Sequence, residues 1–245
     1  HPARRILLGC KIVMTFPQHV AIICDGNRRW AKAKGLPEFT GHQHAVEITM
    51  ENLIDRCVSL NIPYLTFWVF STENWHRGEK WVNQYFSLLR QLFTKNFQKL
   101  HQKNVKLNLI GNVSKLPQDI QKLFSDWLAK TKNNKKLTLT IAINYGGRDE
   151  ILRAVAKGRS LFTDKVRPCH LSESSFSALL DTASLPDPDL LIRTGGNNTR
   201  LSGFMLWQLA YTQLYFIDTL FPDFDGKELD IALNWWQKQT TNLGK

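Results

Sequence analysis

Three short runs of the 245-residue chain gather side chains able to bind anions, hold a cation or move a proton. The first is Asp25-Gly26-Asn27-Arg28-Arg29-Trp30, with Gly41-His42 downstream. It sets a carboxylate, a glycine with a free backbone N–H, two guanidiniums and an imidazole near an expected helix start. A diphosphate calls for backbone N–H groups and forked Arg donors, and a Mg²⁺ neutralising it calls for a carboxylate oxygen such as those of Asp25. An Asp-Gly-Asn turn ending a strand would use the same three residues. The two arginines and Trp30 that follow shift the balance toward a site.

The second run, Ser71-Thr72-Glu73-Asn74-Trp75-His76-Arg77, is dense in donors, acceptors and proton-transfer groups. A helix N-cap would account for Ser71 or Thr72 with a nearby Glu, but not for Asn74, Trp75 and Arg77. In the third, Arg193-Thr194-Gly195-Gly196 leads to Arg200-Leu201-Ser202, placing two arginines and a serine around a glycine turn. That suits a clamp for a second phosphate group, with a plain loop as the competing reading.

All three runs follow apolar, β-branched segments, and in an open parallel sheet ligands collect beyond the carboxyl ends of the strands. Six such segments are read as strands: 19–24, 64–71, 105–111, 137–144, 189–195 and 213–218. Each is nearly continuous in apolar residues, as strands buried on both faces are. Between them, Val46, Met50, Leu53, Ile54, Cys57 and Leu60 recur at helical spacing, as do Trp81, Tyr85, Leu88, Leu89, Leu92, Phe93, Phe97 and Leu100. The second of these helices has an apolar face broad enough to pack on a sheet or to line a cavity for a long apolar ligand. Gly146-Gly147-Arg148 reads as a strand-to-helix turn, and 130–136 and 184–189 read as solvated connections. The expectation is a single α/β domain built on a central, largely parallel six-stranded sheet flanked by helices.

Lys and Arg outnumber Asp and Glu by 32 to 21, which favours anionic partners. The aromatics follow core patterns rather than alternating with Lys and Arg, so nucleic acid is not expected as a partner. No GxxxxGK[ST], strand-linked GxGxxG, HExxH or GxSxG occurs, which leaves nucleotide-hydrolase, dinucleotide, zinc-protease and esterase readings without support. The four scattered cysteines form neither a CxxC pair nor a disulfide framework and fit a reducing cytosol. The apolar run in RRILLGC is too short for an export signal, and nothing approaches a membrane span of roughly 20 residues. Residues 1–18 are read as an N-terminal extension, those before Met14 as upstream or added sequence, and 19–245 as the catalytic domain. The expected location is cytoplasmic, with peripheral contact at the inner face of the membrane.

HVAIICDGNRRWAK with Gly41-His42, FSTENWHR, and DLLIRTGG with RLSGFMLWQLAYTQLYF resemble, in order, the motifs of the cis-prenyltransferase family, whose bacterial type is undecaprenyl diphosphate synthase. The likeness runs from about His19 to Trp236. It implies a homodimeric α/β enzyme that adds isopentenyl diphosphate, with cis geometry, to an allylic diphosphate such as farnesyl diphosphate, and an apolar tunnel for the product. By position, Asp25 would bind Mg²⁺ and assist departure of the allylic diphosphate, which Gly26, Asn27, Arg29 and His42 would hold. Trp30 would contact the allylic chain. Asn74 would take part in proton removal near Ser71 and Arg77, with Thr72, Glu73 and Trp75 in the same allylic region. Arg193, Arg200, Leu201 and Ser202 would grip isopentenyl diphosphate.

Three positions depart from the family pattern. Gln213 stands where a metal-binding glutamate is usual. Glu38 stands where an arginine usually binds the allylic diphosphate, with Arg28, in place of the glycine of many relatives, as a compensating charge. Asn197-Asn198-Thr199 makes the last motif one residue longer and removes its acidic residue. These departures raise two alternatives: short-chain or irregular, branched condensation on the same fold, or a weakly active accessory subunit.

Overall fold

The computed structural model describes residues 15–161, 172–196 and 198–240. The extension before Thr15, Cys10, Cys169, His170 and Asn197 lie outside them. Six strands form one all-parallel sheet: β1 (His19–Ile23), β2 (Tyr64–Ser71), β3 (Val105–Ile110), β4 (Leu137–Tyr145), β5 (Leu190–Arg193) and β6 (Gln213–Phe216). Their order across the sheet is β3-β4-β2-β1-β5-β6. The chain therefore leaves β1 toward one edge and later returns to its other side, which makes the β1/β5 boundary a switch point where a crevice opens at the carboxyl ends.

Alternate residues of each strand serve opposite faces. Val20, Ile22, Leu65, Phe67, Leu107, Leu139 and Ile192 point into the larger core. There they meet α3 (Met50–Ser59), α4 (Glu79–Gln102), α5 (Gln118–Thr131) and α8 (Gly226–Gln237). Ala21, Ile23, Ala142 and Leu191 face the other side and pack on Phe204, Met205 and Leu209. Behind that segment, α6 (Gly147–Leu161) and α7 (Glu173–Ser177) share a small cluster of Ala154, Phe176 and Leu180.

Two short helices, α1 (Asn27–Ala33) and α2 (Glu38–His44), lie between β1 and α3. The periodicity that begins at Val46 reads as one helix, but Ala45–Thr49 winds as a π-helical turn before α3 begins. The segment 184–189 is more than a solvated connection. Asp189 accepts from the backbone N–H groups of Gln18 and His19 (2.7 and 3.0 Å), and the Pro186 carbonyl bonds the ring of His19 (2.7 Å). Gln237 reaches the Thr15 carbonyl, so residues 15–18, read as part of an extension, are tied to the body of the fold.

Candidate active site

Register places the three junctions side by side. Ile23 is level with Trp68 on one side and Arg193 on the other, so Asp25, Ser71 and Arg193 all emerge at one end of the sheet. A register shift in β2 between Trp68 and Ser71 turns the consecutive residues Trp68, Val69, Phe70 and Ser71 toward one space. Bulges of this kind re-aim side chains beside functional sites. The space is a cavity of about 700 Å³.

Asp25 is held at the cavity's inner polar wall. Arg193 donates to its Oδ2 at 3.0 Å, Asn198 to the same oxygen at 3.1 Å, and Arg29 to Oδ1 at 3.2 Å. The Asp25 side chain is 29% exposed and that of Arg193 only 6%. Arg193 also donates to Ser202 Oγ (2.8 Å) and to the Arg200 carbonyl, so one guanidinium links the first and third junctions. Thr194 ties the same junctions through the backbone: its hydroxyl accepts from the Asp25 N–H and lies 2.9 Å from the Asp25 carbonyl. Close approach requires glycine at two points. A Cβ on Gly41 would fall 2.0 Å from the Asn27 carbonyl oxygen. Gly26 has φ +111° and a Cβ there would meet Leu220 at 2.8 Å.

Five cationic residues line the cavity, Arg28, Arg29, Lys32, Arg77 and Arg193, against two carboxylates, Asp25 and Glu38. Glu38 Oε1 forms an ion pair with Arg28 Nε and accepts from the Trp81 indole, each at 2.8 Å. The two departures from the family pattern on this wall are thus partners. Arg77 lies over the Trp81 ring at 4.5 Å, and its pKa is pulled down by burial and by Arg28. His42 is held neutral, with its pKa lowered to about 4, first by burial and then by Arg77, against the opposing pull of Glu38. Deeper in, the wall turns apolar with Ala45, Val46, Met50, Val69, Leu88 and Leu89.

Of the residues singled out in the sequence, Asp25, Gly26, Asn27, Arg28, Arg29, Glu38, His42, Ser71, Asn74, Arg77, Arg193 and Ser202 line this cavity. Others do not. Trp30 is buried in the core, donating to Asp223 at 2.7 Å and packed on His44. Trp75 donates to Asn144 (2.8 Å) and meets Phe70 and Phe86 edge-on and tilted. Thr72, Glu73, Arg200 and Leu201 also lie off the lining, Arg200 contributing its carbonyl to Arg193. Asn74 takes the capping role for which the sequence offers a glutamate: its Oδ1 accepts from the Ser71 N–H at 2.9 Å. Gln213 opens β6 level with Leu190, three residues before the end from which Asp25 emerges, so within one chain it is not brought to Asp25. Trp81 and Tyr85 are site residues that pattern alone does not single out, because both follow the packing period of α4. Asn198, in the lengthened loop of the last motif, is the member of that loop brought to Asp25.

Among the described residues no three His, Cys, Asp or Glu side chains cluster as a metal cage. The donor set present, one carboxylate facing space for a diphosphate, still fits Mg²⁺, which is commonly bound through one or two carboxylates plus substrate phosphates and water.

Comparison with known proteins gives this geometry a context. A family model described as "Putative undecaprenyl diphosphate synthase" matches residues 23–244. The isoprenyl transferase of Aquifex aeolicus (strain VF5) is 43% identical over 232 residues, covering 95% of this chain and 97% of its own. That of Heliobacterium mobile is 44% identical over 229 residues, covering 93% and 87%. Lavandulyl diphosphate synthase from Lavandula x intermedia, solved in complex with dimethylallyl diphosphate, superposes with a TM-score of 0.89 at 34% identity, over 94% of this chain and 99% of that one. A probable undecaprenyl diphosphate synthase from Campylobacter jejuni superposes with a TM-score of 0.79 at 32% identity, over 95% and 100%. With matching sequence over nearly the whole chain and a fold that superposes on solved members, this protein belongs to the cis-prenyltransferase family typified by undecaprenyl diphosphate synthase and is a prenyltransferase enzyme.

Proposed function

We propose that the chain condenses isopentenyl diphosphate with an allylic diphosphate, farnesyl diphosphate or a shorter homologue, to give a cis-prenyl diphosphate in a Mg²⁺-dependent reaction. The observation that carries this reading is one cavity whose wall is cationic around the Asp25 carboxylate and apolar at its depth. A diphosphate headed by a prenyl chain has that same division.

In the reaction the allylic C–O bond breaks and its electrons leave with the diphosphate. The double bond of isopentenyl diphosphate then attacks the allylic carbon, and loss of a proton to the departed diphosphate restores a double bond. Charge develops on the departing oxygens, where fixed cationic donors lower the barrier most. Arg29, Arg77 and neutral His42 would meet the allylic diphosphate, and Arg193 with Ser202 the second. Asp25 would supply the carboxylate for the metal, which neutralises the leaving group when bound. To do so it must exchange its contacts with Arg193 and Asn198. Asn74 cannot act as a base, being an amide, and its Oδ1 is occupied; it would orient substrate through its Nδ2 donor.

A homodimer is the assembly that the surface supports. β6 is an edge strand, and exposed apolar side chains lie beside it and on α6: Tyr211 (81% exposed), Leu214, Leu152 (69%) and Val155. Unpaired edges and apolar patches of this kind are usually covered. Sedimentation of the wild type as a dimer, and of Leu152→Asp/Leu214→Asp as a monomer, checks this. No described helix is long and apolar enough to cross a membrane. The basic surface fits peripheral contact with anionic lipid, which co-flotation with anionic but not neutral vesicles would test. The activity is tested by incubating the protein with labelled isopentenyl diphosphate, Mg²⁺ and primers of increasing length. Product in the presence of all three components supports the reading, and none with any primer or divalent metal overturns it.

A further inference from the structure

Charge is spread unevenly along the chain. Residues 99–136 hold nine lysines and no arginine, against two carboxylates, Asp119 and Asp126, so seven of the eleven net positive charges lie in this one stretch. It runs from the last turn of α4 through β3 and α5 to the start of β4, and β3 is the edge strand opposite β6.

The fold draws most of these lysines to one corner. Val105 and Leu137, the first residues of β3 and β4, are level in the sheet, so residues 103–104 and 132–136, which precede them, meet at the end away from Asp25. Asn134 Nδ2 donates to the Val105 carbonyl (2.7 Å), and Asn104 accepts from the N–H groups of Lys135 (3.1 Å) and Lys136 (3.0 Å), which ties the two turns together. Lys99 and Lys103 are paired with Glu51 and Asp55 at 2.7–3.1 Å. Lys106, Lys130, Lys132, Lys135 and Lys136 are exposed and form no ion pair among the described residues.

Structural duties account for part of the cluster. Cations near the carboxyl end of α5 offset its helix dipole, which suits Lys130 and Lys132, and a lysine such as Lys106 on an edge strand deters pairing with another chain. Lys135 and Lys136 have neither duty, since they lie past the helix and before the strand, with only their backbone N–H groups engaged. Unpaired ammonium groups without arginine forks act as point charges, which suits a diffuse anionic surface better than recognition of one phosphate. The aromatics of the corner, Phe97, Phe124 and Trp127, are buried, which leaves no ring on which a nucleic-acid base would stack.

We propose that this corner is the face by which the protein docks on an anionic lipid bilayer. This rests on the peripheral contact proposed above and deepens it, by naming the face and its residues. The placement also serves the condensation. Lys99 and Lys103 line a small apolar space between α3, α4 and the sheet that shares Val46 and Met50 with the cavity, so docking here brings lipid to the side of the molecule where the apolar depth of the site lies.

Co-sedimentation with vesicles of phosphatidylcholine containing roughly one-third phosphatidylserine tests the proposal without any turnover. A lysine near such a surface strengthens attachment about fivefold, so Lys135→Gln/Lys136→Gln should weaken partitioning about 25-fold at low salt. The control Lys227→Gln/Lys238→Gln removes the same charge from the ends of α8 and should weaken it by no more than about twofold, through net charge alone. Thermal unfolding of both variants should match wild type, and wild-type attachment should fade as salt shortens the Debye length below about 10 Å. Equal loss in the two variants overturns the corner and leaves peripheral contact standing, whereas no wild-type binding to these vesicles overturns both. Binding to a single-stranded RNA homopolymer that exceeds vesicle binding, and is lost in Lys135→Gln/Lys136→Gln, overturns lipid as the occupant. None of these results depends on product formation, so the condensation stands or falls separately.

Discussion

Glu38→Ala removes the carboxylate that pairs with Arg28 and accepts from Trp81, and its cost can be worked from the two contacts. The Arg28 pair is more than half open to solvent on the arginine side, so it contributes about 0.2–1 kcal/mol. The Trp81 indole N–H is partly buried, and leaving it unpartnered costs about 1–3 kcal/mol. A loss of about 2 kcal/mol in urea unfolding is therefore expected, mostly from Trp81. Glu38→Gln separates the effects, because its amide oxygen still accepts from Trp81 while its charge is gone. It should cost under about 1 kcal/mol. In both variants the cavity keeps its five cations but only one carboxylate, which favours a bound diphosphate by roughly 1 kcal/mol at an effective dielectric between protein and water. In Glu38→Gln the KM for the allylic diphosphate should fall about fivefold at low salt, and the gap should close as ionic strength rises. Equal destabilisation by the two variants would refute the assignment of the cost to Trp81, and a KM that rises irrespective of salt would refute the charge argument.

Other outcomes follow from single contacts. The ring of His19 is buried, and this holds its pKa near 4 against an ordinary 6.5, in spite of the Pro186 carbonyl and Asp189. The unfolded chain thus takes up a proton at a pH where the folded one does not, so this contribution is full above about pH 6.5 and is lost as pH falls toward 4. The loss approaches roughly 3 kcal/mol, because each pH unit between the two values is worth about 1.36 kcal/mol. Unfolding free energies from pH 7 to 4 should fall less steeply in His19→Gln, and parallel slopes would contradict the burial argument. Trp30→Phe deletes the 2.7 Å bond to Asp223 and should cost about 1.5–3 kcal/mol of stability, with KM values for both substrates unmoved. A large KM increase at wild-type stability would return Trp30 to the substrate site.

The sheet was legible because parallel strands buried on both faces leave unbroken apolar runs, and all six such runs became strands with no end shifted by more than two residues. The junction after β4 was legible for a similar reason: Gly146 separates Tyr145, the last strand residue, from Gly147, the first of α6. The π-helical turn at 45–49 was not, because its apolar spacing differs too little from that of an α-helix over five residues. At the site, residue type identified the clusters but not the orientation of their members. Trp30 and Trp75 lie within site motifs, yet each indole is turned to a structural acceptor. Asn74 serves both the cavity wall and the cap of its own turn. Trp81 looked like one more core position of α4, and only the fold brings Glu38 to its N–H. Gln213 lies in the right motif but at the other end of its strand, a separation that the linear sequence conceals.

The most direct test of the central claim is the transfer of labelled isopentenyl diphosphate onto an allylic diphosphate by wild type and by Asp25→Ala, each with Mg²⁺ and after its removal by chelation. The account predicts prenyl diphosphate product from wild type with Mg²⁺, and a loss of at least a hundredfold both on chelation and in folded Asp25→Ala. Retention of wild-type turnover by Asp25→Ala would contradict it.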